Sequence, residues 1–389
     1  MLQLIAAAAS LALGTTLHPP EYYEEGSALA PLVGNWSRVK GPLTPHFREW
    51  LDRNGYGPDD FARPYFGHFG SYGGAANDSQ QILHTPVIFF HGNEDGALAV
   101  PGNYTSGSSA QIEYFLSRGY SSAELYVTTW GDRDSTMAMW SDHSCATLAR
   151  LRRFVIAVRE YTNSETVNII AHSMGVTMAR KIVKGGVIHE YTGGSCTLGE
   201  PLTDIVSVFI GISGANYGMC TCHGDYEKWA PTCNRMNGLY PGEPCRGARL
   251  GQCNRPSANC TAQPYSRLLQ EMNTDGIREG HRVVSFWALD DDIVVPSAMV
   301  WDTPTSFIPG SEFYMFNMMH MATKETTTAE QFELLRPYDT FRERKKNQES
   351  GPVAIPLILF LCIVLLRFCH VGRASVGRSY ERIYDTIDL

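Results

Sequence analysis

Residues 167–183 read VNIIAHSMGVTMARKIV, and the change of period inside them decides the fold. VNIIA (167–171) is a short apolar run of the kind buried in a parallel sheet. From Met174 to Val183 the spacing is helical. Between the two stand Ala171, His172, Ser173, Met174 and Gly175. A serine on a tight strand-to-helix turn has its hydroxyl held in the open. Small residues two places before and after it let neighbouring backbone pack closely. Ala171 and Gly175 are those small residues. The Met174 amide falls at a helix N-terminus, where the positive end of the dipole meets a developing oxyanion. His172 reads as a residue that shapes the turn, not as a base.

Outward from this turn the chain alternates strand and helix. PVIFF (86–90), AELYVTTW (123–130), DIVSVFIGI (204–212), RVVSFWAL (282–289) and FYMF (313–316) read as strands. Residues 109–116, 145–161 and 174–183 read as helices, with a further one from Thr328. This spacing predicts an α/β protein with a mostly parallel central sheet flanked by helices; with the strand-turn-helix context of Ser173 it resembles the α/β-hydrolase fold. Residues 18–80 are loop-rich, with helical spacing at Phe47, Trp50 and Leu51.

His91, Gly92 and Asn93 follow the first of these strands. A His-Gly there forms the loop that supplies a second oxyanion amide, and Asn93 is the candidate donor. His91 and Gly92 then support the loop. A triad needs an acid and a base after the serine in chain order. Strand 282–289 runs into Asp290, Asp291 and Asp292, and periodicity does not choose among them. His320 follows the last strand and has no rival between His281 and the apolar C-terminal run. With Ser173 these residues predict acyl transfer: attack on an ester carbonyl, a tetrahedral oxyanion held by the Asn93 and Met174 amides, and hydrolysis of an acyl-enzyme. No cofactor and no metal is needed.

VIFFHGNEDGA, the Ala-His-Ser-Met-Gly turn, the Asp-x-Ile-Val stretch and the late His resemble class 2 lipases. EYFLSRGYSSAELYVTTWGD and GANYGMCTC resemble the nematode branch of that family, and the likeness covers roughly residues 45–336. The resemblance implies Ser173 as nucleophile, His320 as base and Asp291 as the acid preceding x-Ile-Val, acting on acylglycerol-type esters. The competing reading is a catalytically silent adhesion or receptor ectodomain on the same fold.

The two ends carry a different message. Leu2–Leu13 is uncharged and suits the core of a signal peptide, 1–14. Residues 352–371, beginning PVAIPLILFLCIVLL, read as one transmembrane helix after a charged stalk, 337–351. A tail, 372–389, follows on the cytosolic side. The layout is then an N-terminal extension packing on the core, 15–82, and a catalytic domain, 83–336, outside the cytosol. A Cys-rich insertion, 214–263, lies within that domain. Eight of the ten cysteines fall in the exported part, an even number that suggests disulfides. Cys220, Cys222, His223 and Cys233 lack the paired spacing of zinc ribbons. Asn35, Asn77, Asn103 and Asn259 head Asn-x-Ser/Thr triplets and are candidate glycosylation sites.

Composition limits the partners. Forty acids against 32 bases, a net charge of −8, disfavour nucleic acid. With 43% hydrophobic residues, the chain is not broadly disordered. A lipid or ester substrate and a membrane are the expected partners, while protein partners are unknown.

Overall fold

The computed structural model describes residues 39–100, 106–222, 226, 228–242, 265–294, 298–300 and 303–336. The expected signal peptide, stalk, transmembrane segment and tail lie outside these residues, as do His223, Asn35, Asn103 and Asn259. Among the described residues no helix is long and apolar enough to cross a membrane.

The strands are β1 (Ser71–Tyr72), β2 (Val87–Phe90), β3 (Leu125–Thr128), β4 (Val167–His172), β5 (Val187–His189), β6 (Ser195–Thr197), β7 (Val206–Ile212), β8 (Arg282–Ala288), β9 (Met299–Val300), β10 (Thr303–Pro304) and β11 (Glu312–Phe316). One sheet of seven runs β1-β3-β2-β4-β7-β8-β11. It is parallel except for β1, which pairs antiparallel with β3. Among the described residues the α-helices are α1 (Pro45–Arg53), α2 (Ser109–Ser117), α3 (Cys145–Thr162), α4 (Met174–Lys184), α5 (Arg267–Thr274), α6 (His320–Thr326) and α7 (Thr328–Leu334).

The sheet has a core on each face, which is why its central strands are apolar throughout and not alternating. On one side Phe47, Phe154, Val158 and Val183 from α1, α3 and α4 pack on Ile88 and Ile169. On the other, Ile112, Phe115 and Leu334 from α2 and α7 pack on Phe89, Ile170 and Ile210. Caps set the helix ends. The Ser144 side chain accepts the Thr147 amide before α3, and Asn163 closes it at φ 48°. Thr44 accepts the Phe47 amide before α1, with Pro45 at the first helical position. Asn168, polar and buried in β4, accepts the Val208 amide with Oδ1 where the β4–β7 register shifts.

Some elements depart from the sequence reading. Ala123 and Glu124 do not start β3; they form a 3-10 turn because the buried Glu124 carboxylate accepts the amides of Leu83, His84 and Ser121. Asp204 and Ile205 likewise belong to a turn before β7. β1, α5, α6 and the β5–β6 hairpin have no counterpart in that reading, being short or lacking a clear period. The described part of segment 214–263 does not stand off the domain, since Ala215, Cys222, Ala230 and Leu239 lie in the main core. Disulfides join Cys145 to Cys196 and Cys222 to Cys233. The first ties the start of α3 to β6, and the second uses two of the cysteines considered for a metal.

Candidate active site

The loops at the C-terminal ends of β2, β4, β8 and β11 bring the candidate residues to one edge of the sheet, where open α/β sheets bind ligands. Ser173 sits between β4 and α4 with φ 56° and ψ −132°. An L-residue rarely adopts this conformation, which costs on the order of 1–3 kcal/mol and persists only where surroundings enforce it. Here the Ser173 amide donates to Ile212 O of β7 at 2.9 Å, and the Val176 amide donates back to Ser173 O at 3.0 Å. The turn also needs Gly175: a Cβ there would fall 2.3 Å from His91 O. Ser173 remains half-buried while Ala171, His172, Met174 and Gly175 are buried.

The three consecutive acids are separated by the turn after β8. Asp291 is buried; Asp290 and Asp292 are exposed. Asp291 Oδ2 lies 2.8 Å from His320 Nδ1. Its Oδ1 accepts the amides of Ile293 and Val294 at 3.0 and 2.7 Å. Asp292 Oδ1 accepts the His320 amide at 3.1 Å, at the start of α6. Against a carboxylate, which only accepts, His320 Nδ1 is the donor of this contact. The Ser173 hydroxyl makes no hydrogen bond to His320 in this arrangement.

His172 packs against His320. Its ring centroid is 4.6 Å from that of His320, and its Nε2 lies 3.2 Å from His320 O. Nδ1 is buried with no partner. Burial, helped by the nearby His320, holds the His172 pKa well below the usual imidazole range. His172 is therefore neutral and braces the His320 backbone.

The loop after β2 closes the site from the other side. Among the described residues, neither the Asn93 nor the Met174 amide has a protein acceptor. Gly92 faces Ser173: a Cβ at position 92 would lie 2.9 Å from Ser173 Cβ and 3.4 Å from its Oγ. His91 is fully engaged. Nε2 accepts the Trp130 amide at 2.9 Å, Nδ1 donates to Gly92 O at 2.8 Å, and the ring stacks on Trp130. Burial pushes its pKa down to about 4. Asn93 Nδ2 donates to Ala138 O, and Thr232 Oγ1 donates to the same carbonyl, both at 2.7 Å. The loop is thereby joined to the 3-10 turn Ser135–Trp140 and to the disulfide-linked segment.

Two residues near the site escape the sequence reading. Asp95 and Lys324 form a buried ion pair across 229 positions of sequence, a separation that periodicity cannot bridge. Among the described residues no three His, Cys, Asp or Glu side chains are grouped to hold a metal ion. Asn77 is exposed, and its Oδ1 accepts from the amide and hydroxyl of Ser79 in its own triplet.

A family model described as lipase (class 2) matches residues 84–333. Among solved structures, the mature form of the Bacillus licheniformis lipase BlEst2 is similar at 11% identity. The match covers 69% of this chain and 98% of that one, with a TM-score of 0.41. Bacillus subtilis carboxylesterase CesB (YbfK) is similar at 14% identity, covering 69% and 87%, with a TM-score of 0.34. Aspergillus fumigatus lipase B is similar at 12% identity over 64% of this chain, which spans 48% of that protein, with a TM-score of 0.33. No curated protein matches the sequence.

Proposed function

The chain belongs to the class 2 lipase family, and on that premise we propose that it is a serine lipase or carboxylesterase hydrolysing acylglycerol-type esters. In this reading Ser173 Oγ attacks the ester carbonyl while His320 Nε2 takes its proton. Asp291 orients the imidazole and stabilises the imidazolium. The Asn93 and Met174 amides bind the oxyanion, each worth ~3–4 kcal/mol in comparable sites. His320 then protonates the leaving alcohol, and water attacks the acyl-enzyme by the same route.

One observation carries the reading. A serine held at φ 56° shares a sheet edge with an imidazole whose Nδ1 is committed to a buried carboxylate at 2.8 Å. Hydrogen bonds between nucleophile and base are often loose in unliganded sites and tighten only with substrate bound. The test is labelling of the full-length chain by a fluorophosphonate probe, beside Ser173→Ala. Wild-type labelling that is lost in the variant supports the proposal. A wild type that does not label would favour a non-catalytic ectodomain.

The proposal includes an address. The apolar ends and the Asn-x-Ser/Thr triplets favour export through a signal peptide and tethering by 352–371, with the catalytic domain extracellular or lumenal. Protection of that domain from protease in sealed microsomes, with a mass shift on deglycosylation, is the expected result.

A further inference from the structure

Two buried charges have no part in the chemistry just described. Lys324 Nζ lies 3.0 Å from Asp95 Oδ2, with the side chains 2% and 4% exposed. Asp95 Oδ1 accepts the amides of Gly96 and Gly107 at 2.8 and 2.9 Å. Burial alone would raise the Asp95 carboxyl. Lys324, His91 and the Gly96 amide outweigh it and hold the group below the usual carboxylate range. The carboxylate is thus ionised and paired.

The location of the pair is informative. Asp95 stands two residues beyond Asn93, on the loop after β2. Lys324 stands four residues beyond His320 on α6, so the two side chains lie one turn apart on one face of that helix. A second bond acts at the same place: Ser106 Oγ donates to Glu325 Oε1, next to the Gly107 amide that Asp95 holds.

A buried ion pair is a weak device for stability, because an apolar pair of similar volume often serves as well. It is a strict device for register. Displacing either partner leaves an uncompensated charge in a medium that solvates it poorly. Here the two partners lie on the loop and the helix that, in the proposed reaction, must present an oxyanion donor and a base to one carbonyl.

Resting on the reaction assigned above, we propose that the Asp95–Lys324 pair is a positioning device that sets the separation between the Asn93 amide and the His320 imidazole. Asp95 and Lys324 touch no reacting atom; they act through the loop that carries Asn93 and the helix that carries His320. The Ser106–Glu325 bond keeps α6 from pivoting about the pair.

Lys324→Met alone would strand the Asp95 carboxylate, and its instability would obscure the result. The test is therefore Asp95→Asn with Lys324→Met in the full-length chain. The introduced carboxamide keeps an oxygen for the Gly96 and Gly107 amides. Three quantities are read: the melting temperature, kcat and KM on p-nitrophenyl butyrate, and the rate of fluorophosphonate labelling. A misplacement of the order of 1 Å costs ~100-fold, so kcat should fall ~10–100-fold at a nearly unchanged melting temperature. KM should stay within about twofold, since binding contacts are untouched, and labelling should slow in step with kcat. Lys324→Arg, which keeps the charge, should retain most of the rate.

A double variant with wild-type kcat and labelling would overturn the proposal. So would a loss of kcat that only tracks a loss of folded protein, which would make the pair structural. A wild type that does not label would overturn both this inference and the reaction it rests on. A labelling wild type with an equally fast double variant would overturn the inference alone.

Discussion

Gly92→Ala isolates the spacing between the loop after β2 and the serine turn. An added Cβ would stand 2.9 Å from Ser173 Cβ, and 3.4 Å from both Ser173 Oγ and His172 Nδ1. Carbon atoms settle at ~3.5–4.0 Å, so the loop and the turn must separate by roughly 0.6 Å. Neither side yields easily. Ser173 is pinned through its amide to Ile212, and the loop is pinned by His91 and Trp130. Overpacking of this kind costs ~1–3 kcal/mol of stability. On the proposed mechanism the rate should suffer more, because the added Cβ pushes Gly92, the neighbour of Asn93, away from Ser173. We expect kcat to fall ~10–100-fold, about 1.4–2.7 kcal/mol of lost transition-state stabilisation.

The assay is steady-state ester hydrolysis with the melting temperature recorded on the same samples. Gly175→Ala is the comparison. Its Cβ would fall 2.3 Å from His91 O and 2.9 Å from Phe90 O, against backbone at the end of β2 and the start of its loop. That variant should lose folded protein before it loses rate per folded molecule. A Gly92→Ala protein with kcat within about threefold of wild type would refute the idea that Gly92 spaces the two loops.

Two further outcomes concern stability. His91 titrates near 6.5 when unfolded and is pushed down to about 4 in the fold, so its contribution is complete above pH 6.5 and lost as pH falls towards 4. The loss should be about 3 kcal/mol, read as a steeper urea-stability slope in wild type than in His91→Gln. Glu94, pushed up to about 7 chiefly by burial, works in the opposite direction, so the difference between the proteins is the measurement; equal slopes would sink the assignment. The Cys145–Cys196 disulfide spans a sequence separation of 51. In the chain-entropy model it restricts the unfolded state by about 4 kcal/mol. Replacing both cysteines by Ala should lower the unfolding free energy by roughly 2–4 kcal/mol in denaturant titrations.

The strand-and-helix pattern was legible because a two-faced parallel sheet demands unbroken apolar runs. VIFF, VNIIA and VSVFIGI satisfy that demand within a few consecutive residues. Elements whose reasons lie elsewhere in the chain were less readable. β1 exists because β3 offers it an edge, and the 3-10 turn before β3 exists because Glu124 collects three amides. Neither leaves a period in the sequence.

The same division runs through the candidate site. The strand-to-helix turn at Ser173 is a local event, so the residues around it were enough to single out the serine and the Met174 amide. Chain order alone added a late histidine and an acid run. What those residues touch was decided by the fold. Only the turn after β8 buries Asp291 and directs it to His320, leaving Asp292 to the His320 amide and Asp290 to solvent. Only the meeting of the β2 loop with α6 pairs Asp95 with Lys324. The sequence by itself determined the local geometry, where backbone period and side-chain size act between near neighbours. The tertiary structure decided partnership and burial, because hydrogen bonds and charge pairing depend on distance in space and not along the chain.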